Sequence, residues 1–170
     1  IKMRKLTILK SIVDLFWIIS LPLIPLLFIF IGFVIFDNSL NGFPIRMNGV
    51  EMESFDGISK AILVAMMVSY LVLMYCVYLF RKVLRYFQKL QLFDEYVLNT
   101  MNTIGKLLII AAFLDGVPSF LYKVMYQQKI GLEIGFSSFL IMLCFGLFFM
   151  VLSEVFRIAK TAKEENELTI

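Results

Sequence analysis

Four long stretches of this chain carry almost no charge, and they constrain the fold more than any other feature. Residues 15–36 are 22 positions without a charged side chain, 61–80 are 20, 107–122 are 16 with Asp115 the single exception, and 134–153 are 20. A hydrocarbon core about 30 Å thick takes about 20 helical residues at about 1.5 Å each. Lipid offers no hydrogen-bond partner to an open backbone, so each stretch is expected to be a helix. Composition agrees. With 61% hydrophobic and 17% charged residues, the chain departs from soluble domains, which run near half apolar and about a quarter charged. The expectation is an all-α membrane protein: a four-transmembrane-helix bundle spanning 1–170 as one domain, with spans at about 15–36, 61–80, 107–122 and 134–153.

The same inventory narrows the chemistry. There is no histidine, which removes His-based triads, proton shuttles and His metal sites. Cys76 and Cys144 both fall inside apolar spans without a CxxC spacing and are read as structural thiols. No converging catalytic set is visible, so a non-enzymatic protein without cofactor or metal is expected. The first apolar run is long enough to span and lacks a small-residue cleavage site, so it reads as a span rather than a cleaved signal. Met3 is the expected natural start.

Charge sets orientation. Twelve cations precede the first span, separate the second from the third or follow the fourth; four lie in the other loops (Arg46, Lys60, Lys123 and Lys129). By the positive-inside rule both termini are cytoplasmic. Trp17, Tyr75, Tyr78 and Tyr86 gather near the expected cytoplasmic edge, as an aromatic belt requires.

Residues 3–14 read as a basic, amphipathic lead in which Leu6, Leu9, Ile12 and Val13 share a face, while Lys5 and Lys10 reach anionic headgroups. Pro22 and Pro25 predict a kink in the first span. In the outer loop, 37–60, Asn48-Gly49 between Ile45-Arg46-Met47 and Val50-Glu51-Met52 predicts a small extracytoplasmic β-hairpin with a type I′ turn. Its register would oppose Met47 to Val50, Arg46 to Glu51 and Ile45 to Met52. Ala61, Ala65 and Ser69, then Ala112 and Gly116, then Gly131 and Gly135 have the spacing of close helix contacts. That spacing serves packing within a monomer as well as a homo-oligomer.

Between the second and third spans, 81–106 is expected to form a cytoplasmic helical hairpin. Arg81, Arg85 and Lys89 lie on its solvated face, and Asp94 is an N-cap followed by Glu95. Asp115 is the one charged residue placed mid-span. A lone carboxylate in hydrocarbon is costly, so it should face the bundle interior, with Tyr70, Ser69, Ser20 or carbonyls freed by Pro118 as partners. The run Asp115-Gly116-Val117-Pro118 suggests a broken or kinked helix, a feature that lines ion sites in transporters. The other reading is a neutral, hydrogen-bonded Asp115, or one brought near the outer interface by a short tilted helix.

The ending GLFFMVLSEVFRIAKTAKEENELTI, together with Phe93-Asp94-Glu95 and the stretch closing on Ile104-Gly105, resembles a bacterial integral-membrane family known as domain of unknown function 2975. The resemblance implies a four-span layout in a bacterial cytoplasmic (inner) membrane and a cytoplasmic acidic tail. Genes of that family often neighbour small helix-turn-helix regulators, which implies a regulatory membrane partner. In the tail, 154–170, Lys160 and Lys163 give way to Glu164, Glu165 and Glu167, and Leu168-Thr169-Ile170 restores apolar character at the terminus. Docking of this tail, on the cytoplasmic hairpin or on a partner, stands beside a simple solvated helix end.

The functional expectation is therefore a regulatory or sensory membrane adaptor for a small cytosolic partner. A small transporter or channel using Asp115 and a self-protection or envelope-stress protein are the alternatives. Direct nucleic-acid binding is not expected, because the cytoplasmic cations sit where anionic lipid is the nearer partner.

Overall fold

The computed structural model describes residues 4–36, 45–47, 50–52, 56–126 and 137–167. In chain order the elements are α1 (Arg4–Ser20), α2 (Leu23–Phe36), β1 (Ile45–Met47), β2 (Val50–Met52), α3 (Gly57–Gln88), α4 (Glu95–Tyr126) and α5 (Ser138–Glu167). Among the described residues, α1 taken with α2, then α3, α4 and α5 are the four segments long and apolar enough to cross a membrane.

The first crossing is split where proline chemistry demands it. Pro22 has no N–H, so the helix stops at Ser20, and a turn with Ile24 N–H donating to the Leu21 carbonyl at 3.3 Å starts the next. Pro25 falls in the first turn of α2, where helical N–H groups need no partner. The second proline-bearing helix behaves differently. Pro118 lies inside an uninterrupted α4, so of the broken or kinked helix expected there the structure shows no break. The Ser119 hydroxyl donates to the Asp115 carbonyl at 2.7 Å, and α5 buttresses the same turn, with Phe139 packed on Gly116.

α3 and α4 each have 32 residues, about 48 Å at 1.5 Å per residue, and therefore exceed a hydrocarbon core of about 30 Å. They form an antiparallel pair joined by a short turn at 89–94. Leu90 takes a left-handed φ of 60°, and its N–H and that of Gln91 return to the Phe87 and Tyr86 carbonyls. This is a Schellman closure built without glycine. Asp94 then caps α4, its carboxylate accepting the Tyr96 N–H at 2.8 Å, as its position before Glu95 predicted.

α4 packs on α3 along one side and α5 along the other. The core at the turn-proximal end comprises Cys76, Leu79, Val83, Val97, Met101 and Ile104, with Phe149 and Phe156 of α5 laid against it. α1 and α2 pack on α3 and are pinned near both ends. Asp14 pairs with Arg81, and the Lys60 ammonium donates to the Ile35 carbonyl at 3.1 Å, neutralising the end of α2. Large apolar side chains of α2 and α5, such as Phe28, Phe33, Phe145 and Phe148, face outward as lipid requires.

The expectation of a β-hairpin as a component of the fold class needs correction. The architecture is a four-helix membrane-spanning bundle, and among the described residues no sheet layer contributes to it. The pairing present is between two three-residue strands, β1 and β2, antiparallel with Ile45 opposite Met52, Arg46 opposite Glu51 and Met47 opposite Val50. The turn residues 48–49 lie outside the described residues. A pair this short cannot fold on its own, so the helices define the class.

Candidate functional site

Two places concentrate polar chemistry: the interior of α4 around Asp115, and the charged end of the bundle where α1, α3, α4 and α5 meet.

Asp115 is 8% exposed on the stripe of α4 that also buries Ala111, Ala112 and Tyr122, so it faces the bundle as expected. Of the hydroxyls named as its candidate partners, Ser69 and Ser20 donate elsewhere. Ser69 donates to the Ala111 carbonyl of the neighbouring helix at 3.0 Å, and Ser20 donates to Phe16 within α1 at 2.8 Å. Pro118 lies almost one turn beyond Asp115, inside the same helix. Among the described residues no three His, Cys, Asp or Glu side chains converge on a point that would hold a metal.

At the charged end the expected cations separate. Arg81 does not wait for the tail: its Nε donates to Asp14 Oδ1 of α1 at 2.5 Å, and its guanidinium sits 5.6 Å from the Trp17 ring centre. Arg85 is exposed one turn further along α3, and Lys89 is exposed at the helix C-cap. The tail acids extend α5. Lys160 pairs with Glu164 at 3.9 Å and Lys163 with Glu167 at 3.6 Å, both one turn apart on their own helix. Glu165 shares that exposed stretch, and Ile170 lies outside the described residues. Glu164, Glu167 and Arg81 are thus held by other partners.

What ties the tail to the turn is aromatic. Phe156 of α5 meets Phe87 at 6.2 Å and Phe93 at 6.4 Å, edge to face in both cases. Lys163 lies 5.9 Å from the Phe93 ring centre, and Arg157 donates to the Asn99 side-chain oxygen at 3.2 Å. Sequence reasoning missed Asp14, Asn99 and the role of Phe93 and Phe156. Asp14 carried a signal, as the carboxylate directly before the first span; the others become partners only through the α4–α5 crossing.

These features define a class: an all-helical, multi-pass integral membrane protein whose long helices exceed the thickness of a hydrocarbon core. The chain belongs to the family described as "Protein of unknown function (DUF2975)", whose model matches residues 15–170. No curated protein and no solved structure matches it.

Proposed function

We propose that this protein is a regulatory membrane adaptor of the bacterial cytoplasmic membrane, with both termini inside, that engages a small cytosolic partner through its charged end. The observation that carries the reading is the course of α5. It leaves the apolar zone without interruption, lies over the α3–α4 turn through Phe156 and Lys163, and ends at Glu167 with its last two turns exposed. A span continuous with such a helix transmits tilt or shift within the membrane directly to the contact at Phe93. A partner that binds the released form better than the docked form is then recruited by differential affinity. The excess of cations in the same loops supports the orientation.

The test is a crosslinking pull-down from membranes, comparing the full chain with a form lacking residues 168–170. The adaptor reading expects the shortened form to lose a specific cytosolic protein while its bundle stays folded. Equal recovery of the same proteins overturns it.

A second reading rests on Asp115. A carboxylate buried to this degree in the middle of a crossing, close to Pro118, is the chemistry of a proton or cation relay in a small transporter. That reading expects cation-dependent uptake into proteoliposomes that Asp115→Asn abolishes. Absence of flux in the unmodified protein removes it.

A further inference from the structure

One face of α3 carries Tyr78, Lys82 and Tyr86 at four-residue spacing, so the three side chains stack along the helix. Neighbouring rings complete a belt across three helices. Tyr78 meets Trp17 of α1 at 5.7 Å, and Tyr86 stacks on Tyr96 of α4 at 5.1 Å. The Lys82 ammonium lies between the two ring groups, 4.6 Å from the Tyr78 centre and interacting with Tyr96. Lys82 is half-buried, and Arg85 is exposed one turn away.

Two nearby carboxylates are spoken for, and the third, Glu95, lies in the first turn of α4. Asp14 holds Arg81, and Asp94 caps α4. Among the described residues no carboxylate forms an ion pair with Lys82 or Arg85. Two cations therefore stand uncompensated at the level where apolar side chains give way to charged ones, beside phenol hydroxyls that donate hydrogen bonds. Such a set suits a phosphate oxyanion, whose charge-assisted hydrogen bonds are about twice as strong as neutral ones. The flanking rings favour a lipid source for that phosphate, because Trp and Tyr sit at headgroup depth with their apolar bodies toward the acyl chains.

We propose that Lys82, with Tyr78, Tyr96 and Arg85, binds the phosphate of an anionic phospholipid headgroup. The site is independent of the adaptor reading and of Asp115.

The test uses the full chain in phosphatidylcholine nanodiscs and reads Trp17, the one tryptophan. A small fraction of lipid carries brominated chains, which quench a nearby indole, on either phosphatidylglycerol or phosphatidylcholine. Brominated phosphatidylglycerol is expected to quench more strongly at equal mole fraction. Lys82→Gln should lower that preference about fivefold, the worth of one cation at an anionic surface. Lys82→Arg should keep it, and Tyr96→Phe, which retains the ring, should weaken it. Equal quenching by the two lipids in the unmodified protein overturns the proposal, as does an undiminished preference in Lys82→Gln. Inorganic phosphate is added against chloride at matched ionic strength. If phosphate alone erases the preference, the site is one for free phosphate and the lipid assignment fails; survival of the preference supports the lipid.

Discussion

The backbone carbonyl of Gly146 lies 2.6 Å from the point where a β-carbon on Gly105 would stand, so α4 and α5 cross with their backbones in contact. The relationship is nearly reciprocal, since a β-carbon on Gly146 would meet the Gly105 carbonyl at 2.9 Å. Lipid gives no hydrophobic drive for helix association, and close backbone approach supplies packing and Cα–H···O contacts instead. Gly105→Ala or Gly146→Ala is expected to cost about 1–3 kcal/mol through forced separation of the helices. Gly32→Ala, which meets open space, should be neutral or slightly stabilising. Unfolding in detergent by titration with dodecyl sulfate ranks the three.

Buried serines should respond with opposite signs. Ser153 donates to the Leu98 carbonyl at 2.8 Å and Ser69 to the Ala111 carbonyl at 3.0 Å, each joining two helices, whereas the buried Ser59 hydroxyl has no partner among the described residues. Ser153→Ala and Ser69→Ala are expected to lose about 1 kcal/mol each. Ser59→Ala removes a buried polar group that gains nothing in the folded state, and should be neutral or stabilising. The same unfolding titration measures all three.

The Asp14–Arg81 pair is only partly shielded, with side chains 31% and 24% exposed, so its net worth is modest. A double-mutant cycle with Asp14→Asn and Arg81→Gln is expected to return a coupling of about 1 kcal/mol or less. High salt should reduce it. Loss of the pair should loosen α1 before the rest of the bundle, read as faster amide exchange over residues 8–20.

Leu90 is 61% exposed and sits at a φ that side chains with a β-carbon adopt at a cost. Leu90→Gly is expected to stabilise the turn by about 1 kcal/mol, because relief of that cost exceeds the little packing lost. A raised midpoint in thermal unfolding checks it.

Orientation has its own measurement. Reporter proteins that fluoresce only in cytoplasm should be bright when fused after Leu92 or Ile170 and dark after Val50 or Gln128. A bright fusion at Val50 overturns the N-in arrangement.

Much of this was legible in the residues. The charge-free stretches announce four crossings because apolar length against bilayer thickness is a one-dimensional property. Pro22 announces the break between α1 and α2, and Asp94 the start of α4, because a missing N–H and a capping carboxylate act within one turn of chain. At Pro118, where a broken or kinked helix was expected, α4 runs on without a break, and Phe139 from a different helix packs on Gly116 in the same turn, a contact that sequence does not carry. The small-residue spacings likewise pointed to Ala112 and Gly116 but passed over Gly105 and Gly146, which sit in different helices at no fixed separation.

The candidate sites divide the same way. Asp115 stood out as a charge in an apolar run, since burying a charge is costly wherever the helices lie. Class, number of crossings, the break at Pro22 and the sign of charge at each end are thus properties of the linear chain, decided by hydropathy, proline geometry and capping within a few residues. Which cation finds a counter-ion was decided only in three dimensions. Arg81 and Lys82 are neighbours in sequence and 100° apart on the helix, so Arg81 meets Asp14 across α1 while Lys82 meets rings from α3 and α4.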